Sequence, residues 1–205
     1  MLSHRLKTIF VHIPKTGGQS VEHMFLRAHG LTWATRGDLL LRPNENKALG
    51  PSRLAHLYAE EYYTLGHVDR ETFDRYYRFA VVRDPYDRIV SEFNFREHDH
   101  KTVRDFYASV PARPFADRWR HVVPQAAYLL DRDGEMLVED IIRFETLGED
   151  IAKVFARVPE LDGTLDHINS SKKKRLRRAD LDPADIAFIT ETFEDDFRLL
   201  DYPRM

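Results

Sequence analysis

Residues 8–20 constrain this chain more than any other stretch. Thr8-Ile9-Phe10-Val11 is an apolar, β-branched run that reads as a strand. His12-Ile13-Pro14-Lys15-Thr16-Gly17-Gly18-Gln19-Ser20 follows, and then Val21, Met24, Phe25 and Ala28 recur at i, i+3, i+4 and i+7. That recurrence predicts a helix with one buried face. A Gly-rich turn between a strand and a helix N-terminus aims several backbone N–H groups and a positive dipole at one point. Lys15 adds a full charge there. The turn is therefore suited to hold a phosphate or sulfate group, where a solvated lysine in an ordinary connection would hold nothing.

The turn is not a standard P-loop, which needs its lysine after the second glycine and a hydroxyl beside it for magnesium. Here Lys15 precedes both glycines, and neither Gly-Lys-Ser/Thr nor G-x-G-x-x-G occurs. A second motif lies downstream. Arg78-Phe79-Ala80-Val81-Val82 predicts a short strand, and Arg83-Asp84-Pro85-Tyr86-Asp87-Arg88-Ile89-Val90-Ser91 leaves it. Asp84 suits an N-cap, Pro85 the first helical position, and Asp87 a bond returned to the cap. Arg83 then stands at the strand's carboxyl end, and Ser91 about two turns into the helix. A guanidinium fork matches phosphate oxygens in a way that an ammonium does not.

These two motifs, in this order, resemble those of the carbohydrate sulfotransferases that use 3′-phosphoadenosine 5′-phosphosulfate (PAPS), whose wording is close to H-I-P-K-T-G-G-T-S and R-D-P-x-x-R-x-x-S. The resemblance implies that Lys15, Thr16, Gly17, Gly18, Gln19 and Ser20 hold the 5′-phosphosulfate, with Arg83 and Ser91 on the 3′-phosphate. Gln19 departs from the usual hydroxyl residue, but its amide can still donate. His167-Ile168-Asn169-Ser170-Ser171-Lys172 resembles the family's H-x-N-x-S segment, which implies that Asn169, Ser171 and Lys172 close over the nucleotide. The basic run continues to Arg178, and Lys172 or Lys174 is expected to reach the nucleotide or an anionic acceptor.

Further strands are expected at 62–66, 79–82 and 138–144, with helices after Ser20, Asp84 and Gly148 and a last one opening at Asp182-Pro183. In that last helix Ile186, Ile189, Phe193, Phe197 and Leu200 keep a spacing that faces a core. The alternation predicts one α/β domain over residues 1–205, a parallel sheet flanked by helices. The resemblance makes it the P-loop-nucleotide-kinase-like sulfotransferase fold. Ligands then lie at the carboxyl ends of the strands, which gathers Lys15, His67, Arg83 and Glu145 on one edge. Residues 31–61 are the least patterned and are expected to form loops and short helices near the acceptor.

At 205 residues, 42% of them hydrophobic, the chain is long enough for one buried core. A formal net charge of -3 gives no general pull toward nucleic acid or anionic membranes. The absence of Cys excludes disulfides, thiolate metal sites and a thiol nucleophile. No apolar run is long enough to span a bilayer. Golgi members of the resembled family carry a membrane anchor, so its absence points to a bacterial-type, cytoplasmic enzyme.

His67 is the expected general base. An ordinary histidine titrates near ~6.5, suited to taking a hydroxyl proton at neutral pH, and Gly66-His67-Val68 resembles the catalytic Gly-His of polysaccharide 2-O-sulfotransferases. Glu145 is the second candidate. His98-Asp99-His100 lacks further spaced ligands and reads as a polar loop, and the mechanism needs no metal. Gln125, Trp119 and Tyr128 are open to a role at a sugar ring or in the core. The reading is a PAPS-dependent sulfotransferase acting on a hydroxyl of a carbohydrate or glycolipid acceptor. Lys15 stabilises the leaving phosphate oxygen and His67 takes the proton. A P-loop-type kinase and a non-catalytic anion-binding module are the alternatives.

Overall fold

Strands β1 (Leu2–Ser3), β2 (Thr8–Val11), β3 (Tyr77–Val82) and β4 (Asp140–Arg143) form one sheet in that order, in a computed structural model that describes residues 1–161, 163–165 and 175–205. The pairs β2–β3 and β3–β4 are parallel, with Phe10 beside Phe79 and Val81 beside Ile142. β1 runs antiparallel to β2 at the edge. The helices are α1 (Gly18–Ala28), α2 (Glu61–Thr64), α3 (Arg70–Arg75), α4 (Pro85–Phe95), α5 (Val103–Ala108) and α6 (Asp117–Val122), followed by α7 (Ala126–Leu129), α8 (Leu147–Asp150), α9 (Ala152–Arg157), α10 (Pro183–Thr192) and α11 (Glu194–Leu200).

Strand alternation divides the core in two, as expected for a parallel sheet covered on both faces. Ile9, Val11, Ala80 and Val82 join Ile89, Val90 and Phe93 of α4, with Ile189, Phe193 and Phe197 behind them. Phe10, Phe79, Val81 and Ile142 face the other way, onto Val21, Met24 and Phe25 of α1 and Val154 of α9. The Phe10 and Phe79 rings stack at 5.0 Å, and Phe25 continues the stack at 6.2 Å. The expected α/β layering is therefore present. No helix among the described residues is long and apolar enough to cross a membrane.

Two local expectations change. Residues 62–66 are not a strand. They lie in α2 and its closing turn, where Leu65 N reaches Glu61 O at 3.2 Å and Gly66 takes φ +75°. A left-handed glycine is a helix stop, and the fully buried Tyr62, whose hydroxyl donates to Phe10 O at 3.2 Å, gives the short helix its inward face. The sheet's remaining strand is the N-terminal β1. At α4, Asp84 caps as expected, accepting from Tyr86 N at 2.9 Å and Asp87 N at 3.3 Å. The return bond to Asp84 N, however, comes from Glu145 Oε1 at 2.8 Å rather than from Asp87.

The C-terminal helix starts as expected, with Asp182 accepting from Asp185 N at 2.6 Å and Pro183 behind it. It breaks at Phe193 (φ −111°, ψ 28°) into α10 and α11. β4 is shorter than the expected 138–144, because Phe144 already begins a 3-10 turn, Phe144–Thr146.

Candidate active site

The β2–α1 turn is a tight, strained loop. Lys15 holds φ +70°, and Gly17 holds φ +82° as the residue that enters α1. A non-glycine residue in the left-handed region is uncommon, and such strain concentrates at functional sites. A Cβ on Gly17 would also stand 2.9 Å from the Phe144 ring. At Gly18 the bar is harder, for a Cβ there would enter the space of the His12 ring. That ring cannot retreat easily: it is buried, stacked on Phe10 at 5.4 Å, and bonded through Nδ1 to Glu22 Oε1 at 2.5 Å. Gly18→Ala is accordingly expected to destabilise the fold by about 1–3 kcal/mol, the range for overpacking, and to weaken anion binding at the turn. A thermal melt with and without adenosine 3′,5′-bisphosphate measures both.

Thr16 is buried and donates its hydroxyl to Ile13 O at 2.8 Å, so its side chain braces the turn and its backbone is the part left for an anion. Ser20 is buried at the start of α1, and Gln19 faces a pocket. Arg88, itself fully buried, ties the loop to the rest. Its Nε donates to Pro14 O at 3.1 Å, Nη1 to Val123 O at 2.8 Å and Nη2 to His121 O at 3.1 Å. Burial pushes the Lys15 ammonium down to about 8, with Arg83 and Arg96 adding repulsion and Glu92 opposing them.

Arg83 sits at the end of β3 against this loop. Gln125 clasps its backbone from both sides, accepting from Arg83 N at 2.9 Å and donating to Arg83 O at 2.8 Å. Its Nη1 donates to Lys15 O at 3.3 Å, and its guanidinium lies 4.3 Å from the centre of the Phe144 ring. Its Nε is buried without a hydrogen-bond partner among the described residues. Ser91 is half-buried in the middle of α4. Arg178, from the far end of the basic run, pairs with Asp84 at 2.9 Å and Asp87 at 3.3 Å beside Arg83. His167, Asn169, Ser171, Lys172 and Lys174 lie outside the described residues.

Glu145 has both oxygens engaged, one by Asp84 N at 2.8 Å and the other by the Tyr202 hydroxyl at 2.9 Å. These two bonds tie Glu145, just past β4, to the end of β3 and to the C-terminal segment. Gln125 and Tyr128 are buried as well, so both belong to the framework.

His67 is not at a strand end. It follows the α2 turn, half-buried, and its Nε2 bonds Leu49 O at 2.8 Å. Burial holds its pKa below the ordinary value, with the Leu49 carbonyl working against that. A different set of histidines surrounds the loop. His12 meets His56 edge to face at 5.3 Å, and His56 meets His121 likewise at 5.0 Å. His56 Nδ1 bonds Asp117 Oδ1 at 2.8 Å, and His121 Nδ1 bonds Glu92 Oε2 at 2.8 Å. Burial drives His56 down to about 4, with the Asp117 bond opposing it. Asp117 lies below the ordinary carboxylate range; burial works against this, but the His56 bond and the charges of His121, His56 and Arg53 prevail. His56 is therefore neutral at physiological pH, with its Nδ1–H on an anionic carboxylate and the lone pair on Nε2.

His56, Asp117 and His121 bring ligand atoms within 4.8 Å of one another. Arg53 at 3.8 Å and Arg96 at 3.5 Å from Asp117 make these surroundings unfavourable for a dication, and the trio is better described as an acid–base set.

His12, Gln19, Glu22 and His56 also line one pocket, whose outer wall is Trp33, Arg36, Arg42 and Arg53. That wall comes from residues 31–61, where the 3-10 turns Arg36–Leu39, Lys47–Leu49 and Leu54–His56 replace regular structure. His56 carried no local motif, and only the Asp117/His121 spacing of i, i+4 on one helix face gave a signal.

The arrangement joins a strained, glycine-bearing turn, a guanidinium whose Nη1 lies 3.3 Å from that turn's Lys15 carbonyl, and a neutral imidazole in the pocket that Gln19 of the turn also lines. Such a set can hold a phosphorylated donor while a proton is removed from an acceptor. The family model of the sulfotransferase family matches residues 1–203. Searches of curated proteins and of solved structures returned no match. With the matched region covering nearly all of its sequence, the chain belongs to the sulfotransferase family.

Proposed function

We propose that the enzyme moves the sulfuryl group of PAPS to a hydroxyl of a carbohydrate-like acceptor by in-line displacement. The observation that carries the donor assignment is the contact of the two anion sites: Arg83 reaches the Lys15 carbonyl at 3.3 Å while its Nε stays buried and unpaired among the described residues. One nucleotide carrying phosphates on both the 5′ and 3′ positions of its ribose would engage the turn and Arg83 together. The loop from Lys15 to Ser20 takes the 5′-phosphosulfate, and Arg83 with Ser91 takes the 3′-phosphate. Asn169, Ser171 and Lys172 complete that side in this reading.

We assign the base to His56 rather than His67. His56 shares its pocket with Gln19 of the loop, and Asp117 holds its tautomer. His67 Nε2 bonds Leu49 O at 2.8 Å, and its ring is not among the residues that line that pocket. The acceptor then enters past Trp33, and Arg36, Arg42 and Arg53 favour one that bears negative charge.

Adenosine 3′,5′-bisphosphate tests the donor site. It is expected to stabilise the fold by about 2.7 kcal/mol at a hundredfold excess over its Kd. Adenosine 5′-monophosphate, lacking the group for Arg83, is expected to shift the melt far less. Equal shifts would remove Arg83 from its role.

A further inference from the structure

Arg96 closes α4 next to the loop, and nothing in the reaction so far uses it. Its Nε donates to Glu92 Oε1 at 2.7 Å, which fixes the plane of the fork. Its Nη2 is buried and makes no hydrogen bond among the described residues; Asp117 Oδ2 stands 3.5 Å away without hydrogen-bond geometry. Glu92 and Asp117 thus balance the fork's charge as ion pairs, while the hydrogen bond of the buried Nη2 is left unmade, which is unfavourable. The Phe95 ring explains where the fork is held. Lys15 Nζ lies 3.8 Å from its centre and the Arg96 guanidinium 5.2 Å from the same centre. Among the described residues Lys15 has no carboxylate within ion-pair distance. Two cations thus share one exposed ring, at a place where burial above all, and then repulsion from Arg83 and Arg96, lowers the hold of Lys15 on its proton. An anion with several oxygens would satisfy both.

We propose that Arg96 is a second catalytic cation, whose Nη2 donates to an oxygen of the sulfuryl group in transit while Lys15 attends the leaving phosphate oxygen. The assignment rests on the PAPS reading above. In that step the acceptor oxygen–sulfur bond forms as the bond from sulfur to the 5′-phosphate oxygen breaks. The electron pair leaves on the phosphate oxygen, and the acceptor proton passes to His56 Nε2. Arg96 makes and breaks no covalent bond; its hydrogen bond strengthens as charge spreads over the sulfuryl oxygens.

Arg96→Gln and Arg96→Lys test this in the full chain, with wild-type PAPS-dependent transfer measured first. Arg96→Gln is expected to lower kcat by about 10²-fold, as for loss of one charge-stabilising donor, while bisphosphate affinity changes little. Its kcat/KM is also expected to hold to higher pH than wild type, because removing a like charge lets Lys15 keep its proton. Arg96→Lys keeps the alkaline limb in place but does not recover kcat, since an ammonium lacks the fork. Near wild-type kcat in Arg96→Gln, or a loss with an unmoved limb, would overturn the proposal. If Arg96→Gln melts below the assay temperature, full turnover in folded Arg96→Lys overturns it instead. Absence of transfer in wild type would sink the donor reading itself, which is a different result.

Discussion

Lys15→Ala is expected to cut turnover by about 10²–10³-fold, the loss typical when one donor to a developing oxyanion is removed. Bisphosphate binding is expected to weaken much less, because the loop backbone and Arg83 still hold the product. The reason lies in timing. In the proposed mechanism the phosphate oxygen assigned to Lys15 gains its charge only as the bond to sulfur breaks, so the ammonium does more in the transition state than in the bound complex. The same group sets an alkaline limit. Burial, with repulsion from Arg83 and Arg96, brings Lys15 to about 8. The charged form is the active one, and it is lost as pH rises through that value. The profile of kcat/KM, which reports the free enzyme, is expected to fall above about pH 8 and to lose that limb in the alanine variant. Turnover within a few-fold of wild type in Lys15→Ala would move the electrophile elsewhere.

His56→Ala is expected to lose about 10²–10⁴ in transfer rate, the usual share of general-base assistance, with bisphosphate affinity retained. In the proposed mechanism His56 works in its neutral form, and burial holds it at about 4, so wild-type activity is expected to persist down to acid pH and fall only as His56 takes up a proton. A base at the ordinary histidine value would fail two units or so earlier. His67→Ala is the matched control. It removes a bond to Leu49 and is expected to leave transfer largely intact once folding is verified by a melt. The reverse pattern, His67 essential and His56 dispensable, would return the base to the residue that the Gly-His-Val wording picked out.

The contrast between those two histidines shows what was readable from the chain. The turn at 15–20 and the cap at Asp84 could be read directly, because glycine, proline and N-cap preferences act within a few residues. The carboxyl-edge position of Lys15 and Arg83 followed from strand order alone. His56 could not be found that way. It stands in a stretch of 3-10 turns with no period, and its partner Asp117 is 61 residues away. Residues 62–66 misled for a related reason. Two tyrosines and a threonine favour strands locally, yet Tyr62 is drawn into the core by a bond to Phe10 and the segment winds into a helix to deliver it. Without that strand, the strand-end argument no longer groups His67 with Lys15 and Arg83. Glu145 shows the opposite case, a residue correctly placed on the edge whose oxygens are spent on holding it together.

His12 has a consequence for altering the enzyme's specificity. Its ring packs against Gly18 of the β2–α1 turn and meets His56 edge to face. In the proposed reading the donor and acceptor sides therefore share that ring, and a library that varies His12, Gly18 or Glu22 is expected to change both substrates at once. Trp33, Arg36, Arg42 and Arg53 occupy the opposite, outer side of the same pocket, on irregular turns that carry none of the sheet's hydrogen bonds. In that reading, diversifying Trp33, Arg36 and Arg42 is the route to new acceptors, whereas Arg53 also pairs with Asp117, the partner of His56.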